Sequence, residues 1–185
     1  GGFTLIGNDM ARATGPMGEE FYGVAELIHN NQVKRVIATH VGMTPEVGEK
    51  HTAGELEVFL LPQGTLAECI RADGAGLGGV LTPTGVDTLV EDSPFCLGKQ
   101  NINGKDYLLM APIHADVALL GTYKCDEAGN CWYKGTMRNF NPVMATAADL
   151  VIAEAEYVVP VGEIEPENVH TPGICVNYIV EGEKK

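Results

Sequence analysis

The sequence predicts an α/β fold built on an open, largely parallel sheet flanked by helices. Short apolar runs rich in valine and isoleucine alternate with segments of helical periodicity along most of the chain. Two turn signals, Asn103-Gly104 and the stretch from Glu127 to Asn130, add antiparallel hairpin strands to the parallel part. The length of 185 residues is that of one domain, so we expect a single domain over residues 1–185.

The predicted strands follow the apolar runs. In chain order they cover residues 3–6, 33–39, 55–61, 80–82, 107–110, 116–122, 150–153 and 175–180. Residues 10–18 read as a loop because they contain Gly15-Pro16 and Gly18.

Three helices are predicted between these strands. The first covers residues 19–30, where apolar residues recur at spacings of three and four and acids occupy the first turn. The second opens at Thr65, which with Glu68 has the spacing of a capping box, and ends near Gly74. The third is a short helix over residues 141–148, with Pro142 at its first helical position.

Composition limits the classes of function. Hydrophobic residues make up 45% of the chain, enough for a core. Lys and Arg number 12 and Asp and Glu number 25, which gives a net charge of −13. Phosphate contacts need clustered cations, so a nucleic-acid partner is excluded, and a highly charged phosphate ligand held by this chain alone is disfavoured.

Cysteine usage bears on the location of the protein. The five cysteines are an odd number and well spread along the chain, which favours reduced thiols and a cytoplasmic location over a disulfide framework. The sequence also lacks an apolar run of about 18 residues, so no membrane span is expected.

Polar residues follow the ends of the first three predicted strands. Asn8 and Asp9 follow the first strand, Thr39 and His40 end the second, and Gln63 follows the third. In open parallel sheets, ligands bind beyond the carboxyl ends of strands, so Gln63 is placed to donate a hydrogen bond to a substrate carboxylate or carbonyl oxygen. The alternatives are a turn residue bonded to local backbone for Gln63 and a structural histidine for His40.

A glycine-rich loop follows the second predicted helix. Gly74, Gly76 and Gly79 fit the spacing of a dinucleotide-binding fingerprint, but here a helix precedes the glycines and a strand follows them, the reverse of what that site requires. We therefore reject a dinucleotide cofactor. Two interpretations remain, a loop whose backbone closely approaches a ligand or another chain, and a tight structural turn.

The sequence offers no convincing nucleophile or metal site. Glu55 and Glu57 share a strand face, which favours a solvated surface over acid–base work. Cys125 and Cys131 lack the repeated spacing of zinc ligands. The only serine, Ser93, lies in an acidic loop. We therefore expect no catalytic residue and no metal ligand on this chain.

Four segments resemble the alpha subunit of family I coenzyme A transferases. They are GELEVFLLPQGTLAECIRADGAGLGGVLTPTGVDT at residues 54–88, VKRVIATHVGMTPEVGEK at 33–50, RNFNP at 138–142 and VVPVGEIEPENVHTPG at 158–173. The resemblance covers nearly the whole chain in order. It is greatest to the short-chain acyl and 3-oxoacid members, such as acetate or butyrate:acetoacetate CoA-transferases.

The resemblance implies a Rossmann-like three-layer fold and a division of labour between two subunits. The nucleophile would be a glutamate in a Ser-Glu-Asn-Gly motif of the beta subunit, a motif that this chain lacks. Coenzyme A would be a substrate, passed between acyl-CoA and short-chain carboxylic acids through a glutamyl-CoA thioester, with no tightly bound cofactor. Pairs of alpha and beta subunits would associate further into a heterotetramer. The implied substrate-binding residues on this chain are Gln63, Asn8, Gly74, Gly76, Gly78 and Gly79.

One departure from the family pattern concerns the amino-terminal segment. Members carry a Gly-Gly-Phe…Gly-x-Pro motif in a β-α unit that precedes the strand ending in Asn, whereas here Gly1-Gly2-Phe3 runs directly into Thr4. The first β-α unit, about 30 residues by the size of such motifs, is therefore expected to be missing.

Two other functions remain open from the sequence. A sugar-phosphate isomerase of similar fold would need cations beside the glycine loop, where only Arg71 and Asp73 are found. A non-catalytic module that binds a small acid or an acyl-CoA would fit the absence of a nucleophile.

Overall fold

The computed structural model describes residues 2–11, 15, 18 and 20–182. The chain forms two compact units, residues 1–66 with 81–110 and residues 67–80 with 111–185. The predicted α/β class with a largely parallel sheet and antiparallel hairpins is confirmed. The prediction of a single domain stays a prediction.

The first unit contains a parallel sheet with strand order β1-β2-β3, formed by β1 (Phe3–Gly7), β2 (Val33–Ala38) and β3 (Glu57–Leu60). Two helices connect these strands, α1 (Val24–His29) and α2 (Pro45–Thr52). The apolar residues of strands and helices meet in one core made of Met10, Ile28, Val33, Val36, Ala38, Val47 and Leu56. All three strands run in the same direction, so their carboxyl ends share one edge of the sheet.

A separate three-stranded sheet has the order β4-β6-β5, with β4 at Val80–Thr82, β5 at Cys96–Ile102 and β6 at Lys105–Met110. Strands β5 and β6 form the hairpin predicted from Asn103-Gly104, with Ile102 opposite Lys105. Both turn residues have positive φ, 52° for Asn103 and 81° for Gly104, as a two-residue type I′ turn requires.

The second unit contains a sheet with the order β10-β9-β7-β8. Helix α3 (Gln63–Gly74) begins in the first unit and ends in the second. The remaining elements are β7 (Ala115–Asp126), β8 (Cys131–Trp132), α4 (Asn141–Met144), β9 (Ala148–Val159) and β10 (Tyr178–Glu181). Strands β7, β9 and β10 are parallel, and β8 returns antiparallel to β7 through the predicted hairpin after Asp126.

Alternation along β7 shows that one face of this sheet is covered and the other is open. Ala118 and Leu120 are buried, whereas Val117 and Leu119, on the opposite face, are 47% and 62% exposed. Tyr178 and Val180 on β10 are also exposed. Parallel sheets are usually covered on both faces, so this apolar surface is unusual for its class.

The predicted helices differ from the observed ones at their boundaries. Helix α1 begins only at Val24, because Phe21 and Gly23 have positive φ and residues 21–23 form a turn; Glu19 lies outside the described residues. Helix α4 ends at Met144, since Ala148 already pairs with Ala115 as the first residue of β9.

The capping box predicted at Thr65 is wrong. Helix α3 begins at Gln63, so Thr65 lies inside its first turn and is buried. Glu68 instead forms an ion pair with Arg71 one turn further on, at 2.8 Å. The carbonyl of Pro62 accepts the N–H of Leu66, which starts the helix before any side-chain cap.

Other boundaries also differ from the predictions. The last strand begins at Tyr178, because residues 173–175 form a turn of 3₁₀ helix. Helix α2 was not predicted, although Pro45 at its first turn and Lys50 and His51 in its last turn are helix signals. Gly1 of the amino-terminal motif and residues 183–185 lie outside the described residues.

Candidate functional site

The carboxyl edge of the first sheet brings together three of the residues that follow its strands. The Thr39 hydroxyl lies 2.6 Å from the Asn8 carbonyl oxygen and 3.0 Å from Oε1 of Gln63. The chain passes this edge after β1, β2 and β3 in turn, and each apolar run stops at a polar residue there. The structure thus places the Asn8 carbonyl, the Thr39 hydroxyl and the Gln63 amide together at the strand ends, and a substrate-binding role for Asn8 and Gln63 stays a prediction.

Gln63 occupies the first position of α3 and is exposed. With Oε1 facing Thr39, the Nε2 hydrogens of its amide are directed away from the strand ends as donors. The first N–H groups of a helix carry partial positive charge and attract anionic oxygen atoms. The arrangement can therefore bind a carboxylate or stabilise negative charge on an acyl oxygen.

A second pair of side chains lies at the same edge of the sheet. Nδ1 of His40 is 3.1 Å from Oδ2 of Asp9, and Oδ1 of Asp9 accepts the N–H of Met10 at 2.7 Å. A Cβ on Gly42 would lie 2.7 Å from the His40 ring, so the glycine makes room for the imidazole. The His40 side chain is 62% exposed. This arrangement fits the structural interpretation of His40.

The glycine loop follows the end of α3, and two of its glycines have local structural reasons. A Cβ on Gly74 would lie 2.2 Å from Oγ1 and 2.6 Å from the carbonyl oxygen of Thr146, so a side chain does not fit there without a shift. Gly76 has a φ of 67°. The N–H groups of Gly76 and Leu77 bond to carbonyls of the last helical turns at 2.9 Å and 2.8 Å, which is a Schellman ending that favours glycine.

Gly78 differs from its neighbours. Its φ is not positive, and within the described part of the chain no atom would come within 4 Å of an added Cβ. Gly79 has a φ of 156°. No contact among the described residues therefore requires glycine at position 78, which makes that position informative about what approaches the loop from outside.

We expect alanine at these two glycines to have different effects on stability. Gly74→Ala forces a clash with Thr146 and should lower the free energy of unfolding by about 2 kcal/mol, as overpacking does. Gly78→Ala should stay within about 0.5 kcal/mol of the parent. Urea denaturation measures both. Equal stability of the two variants would contradict the close approach at Gly74, and lost activity in a stable Gly78→Ala variant would support a ligand or chain contact there.

A histidine joins the end of α3 to the start of β9. Nδ1 of His114 lies 2.7 Å from Oδ2 of Asp73, and Nε2 lies 3.4 Å from Oδ1 of Asp149. The hydrogen bond that the His114 ring donates to Asp73, reinforced by the one to Asp149, raises the pKa of His114 above its usual 6.5. Arg71 is meanwhile paired with Glu68. The two residues beside the glycine loop are thus engaged within the chain.

The raised pKa of His114 predicts how its contribution to stability depends on pH. A group whose pKa is raised by folding stabilises the fold fully below the unfolded value near 6.5, and this contribution is lost as pH rises through the folded pKa. We expect the difference in Tm between the parent and His114→Asn to be present at pH 5.5 and to shrink steadily above about pH 6.5. A difference that grows with pH would contradict the ion pairs.

The remaining sequence candidates have structural roles. Glu57 pairs across the sheet with Arg35 at 2.7 Å on an exposed face, and Glu55 precedes the strand. The predicted solvated face is thus confirmed for Glu57.

Two of the buried thiols, those of Cys69 and Cys131, are poor nucleophiles. Burial raises the pKa of Cys69 to about 11. The contact with Cys125, at 3.8 Å between the two sulfur atoms, and burial raise the pKa of Cys131. A thiol attacks as its thiolate, so the raised pKa of these cysteines opposes nucleophilic roles. Across the described ranges, no cluster of three or more His, Cys, Asp or Glu side chains is arranged to hold a metal ion.

None of the helices in the described parts of the chain has the length and apolar character needed to cross a membrane.

Comparison with known sequences gives consistent matches. The sequence model of the family described as Coenzyme A transferase matches residues 9–182. The acetoacetyl-CoA:acetate/butyrate CoA transferase alpha subunit of Clostridium acetobutylicum is 54% identical over 159 residues, which cover 86% of this chain and 72% of that protein. The acetate CoA-transferase subunit alpha of Escherichia coli K12 is 45% identical over 179 residues, 96% of this chain and 76% of that protein.

Solved structures of similar fold are also found. An acyl-CoA transferase from Escherichia coli O157:H7, determined as a thioester complex with CoA, superposes with a TM-score of 0.83 at 19% identity over 98% of this chain. The chain spans only 38% of that protein's length. Glutaconate coenzyme A-transferase from Acidaminococcus fermentans gives a TM-score of 0.75 at 19% identity, over 84% of this chain and 57% of that one. These likenesses show the fold.

Proposed function

Because the chain belongs to the coenzyme A transferase family, we propose that it is the alpha subunit of a heteromeric enzyme that moves coenzyme A between short-chain carboxylic acids. The donor would be a short-chain acyl-CoA or 3-oxoacyl-CoA and the acceptor a free carboxylic acid. The relative from Clostridium acetobutylicum, whose name specifies acetoacetyl-CoA, acetate and butyrate, supports this substrate class. Membership of this family supports neither of the two alternatives, a sugar-phosphate isomerase or a non-catalytic binding module.

The observation that carries the proposal is Gln63 at the first residue of α3, held at the strand ends beside Asn8. Its Nε2–H donors and the helix N-terminus suit a carbonyl oxygen that gains negative charge during acyl transfer. In this proposal Gln63 binds that oxygen and Asn8 lines the same acyl pocket. In the loop, Gly74 and Gly76 have the local structural reasons given above, and Gly78 and Gly79 let the backbone approach the substrate or the partner chain.

The covalent chemistry is assigned to the beta subunit. Its glutamate attacks the thioester carbonyl of the donor and forms a mixed anhydride, while the CoA thiolate leaves. The thiolate then attacks the glutamyl carbonyl, which releases the first acid and leaves a glutamyl-CoA thioester. An incoming carboxylate reverses these two steps and departs as the new acyl-CoA. The raised thiol pKa values of Cys69 and Cys131 agree with this assignment, since they oppose nucleophilic attack by these two residues.

The net charge of this chain supports the same division of labour between the two subunits. Coenzyme A carries several phosphate charges, and this chain has a net charge of −13. Of the two residues beside the glycine loop, Arg71 is paired with Glu68 and Asp73 with His114. We therefore assign the phosphates mainly to the partner chain and the acyl pocket to this one. Assembly into a heterotetramer and a cytoplasmic location, the latter predicted from the odd number of cysteines, belong to the same proposal.

An assay of the assembled enzyme tests the substrate class. With the chain and its beta subunit co-expressed, we expect acetoacetyl-CoA to be consumed beyond one equivalent per active site only when acetate or butyrate is added. The corresponding acyl-CoA should form in equal amount, with the parallel reciprocal plots of a ping-pong mechanism. Continued consumption without an acceptor, beyond one equivalent per active site, would indicate hydrolysis and contradict the proposal. So would an assembled enzyme that transfers CoA to none of the short-chain acids.

A further inference from the structure

Thr39 is the residue that joins the three strand ends, and no separate role was expected for it from the sequence. It is half-buried directly after β2, between Asn8 after β1 and Gln63 after β3. Its hydroxyl oxygen is within hydrogen-bond distance of the Asn8 carbonyl, at 2.6 Å, and of the Gln63 amide oxygen, at 3.0 Å.

A hydroxyl carries a single hydrogen, so it donates to one of these oxygens at a time. The Asn8 carbonyl also accepts the backbone N–H of Thr39, at 3.3 Å. That carbonyl therefore keeps a partner when the hydroxyl turns to Gln63. If the hydroxyl donated to the Asn8 carbonyl instead, Oγ1 of Thr39 and Oε1 of Gln63 would face each other at 3.0 Å with no hydrogen between them. The Gln63 amide would then have to turn over and present its oxygen to the substrate.

We propose that Thr39 is a positioning residue, whose hydroxyl fixes the Gln63 side-chain amide with its Nε2–H groups directed outward to an anionic oxygen. The direction of the amide decides its chemistry. Outward Nε2–H groups attract a carboxylate or a developing oxyanion, whereas an outward Oε1 repels either one. The consequence for turnover depends on the proposed function, but the orientation of the amide does not.

The matched variants are Thr39→Val, which has a similar shape without the hydroxyl, and Thr39→Ser, which keeps the hydroxyl. In the assembled enzyme we expect Thr39→Val to lower kcat/KM by about tenfold, the scale of one hydrogen bond, and Thr39→Ser to stay within about threefold of the parent. Thr39→Ala serves as a second variant without a hydroxyl if Thr39→Val does not fold. Thermal unfolding of each variant reports any loss of stability separately.

A double-mutant cycle separates positioning from a merely structural role. If Thr39 acts through Gln63, Thr39→Val should cause no further loss of kcat/KM in a Gln63→Ala background. The same tenfold loss in both backgrounds would overturn the proposal, as would an unchanged kcat/KM in Thr39→Val.

A second measurement, of the Gln63 side-chain amide by NMR, does not depend on catalytic activity. The chain has three glutamines, Gln32, Gln63 and Gln100, so ¹⁵N-glutamine labelling gives three side-chain amide signals, and Gln63→Ala identifies that of Gln63. We expect this signal to move to the random-coil position in Thr39→Val and to stay in place in Thr39→Ser. An unmoved signal in Thr39→Val would overturn the inference. An inactive parent enzyme whose Gln63 signal responds as expected would overturn the proposed function and leave the positioning role supported.

Discussion

Replacing Gln63 by alanine should lower turnover of the assembled enzyme about 100-fold, the cost of removing one donor to a developing oxyanion. The change deletes the amide whose Nε2–H groups face away from Thr39 at the start of α3. Because Gln63 is exposed, its loss leaves no cavity and no buried unpaired group, so the variant should fold normally. Steady-state kinetics of CoA transfer, with thermal unfolding as a check on folding, measure the effect.

Gln100→Ala is the matched control for this variant. Gln100 is also an exposed glutamine, but it lies on β5 opposite Tyr107 and away from the strand ends of the first sheet. We expect its removal to leave turnover within about twofold of the parent, as for an ordinary surface substitution. Equal activity of Gln63→Ala and the parent, with unchanged KM values for both substrates, would remove Gln63 from the site.

The second large effect is dependence on the partner chain. Purified alone, this chain should show no CoA transfer above the uncatalysed rate, and activity should appear as the beta subunit is added, reaching a plateau when the two chains are equimolar. The reason is chemical, because the chain lacks the Ser-Glu-Asn-Gly motif that carries the nucleophilic glutamate in this proposal. A catalytic carboxylate supplied by the partner is needed to form the covalent intermediate.

The controls for this titration, in which beta subunit is added to a fixed concentration of this chain, are the beta subunit alone and a variant of this chain. The beta subunit alone should also be inactive if both chains build the pocket. The Gln63→Ala variant of this chain should bind the beta subunit normally but restore little activity. Transfer by this chain alone, at a rate comparable to the equimolar mixture, would contradict the division of labour.

The position of the polar residues at one edge of the first sheet was predictable because the signals for it are local. Each apolar run of the first sheet stops at a polar residue, and parallel strands bring such residues to one edge whatever the details of packing. Asn8, Thr39 and Gln63 could therefore be placed together before their distances were known. The hairpin at Asn103-Gly104 was predictable for the same reason, since positive φ at two successive residues selects that dipeptide.

Helix α2 was missed despite its local signals, whereas other features that the sequence missed depend on packing and on contacts distant along the chain. Thr65 and Glu68 have the spacing of a capping box, but burial of Thr65 within the first turn of α3 overrides the local signal. Gly74 is separated by 72 positions from Thr146, the residue whose close approach excludes a side chain. Only Gly76 had a recognisable local signal, because a glycine followed by Leu77 after a helix is typical of a Schellman ending.

The central claim is that this chain builds the acyl pocket while the partner carries the nucleophile, and the location of the covalent intermediate tests it most directly. The assembled enzyme is incubated with acetoacetyl-CoA and no acceptor acid, quenched in acid, and the two chains are weighed separately by intact mass spectrometry. The account predicts a coenzyme A thioester adduct on the beta subunit that disappears when acetate is added, with the mass of this chain unchanged throughout. An adduct on this chain that acetate removes would contradict the account.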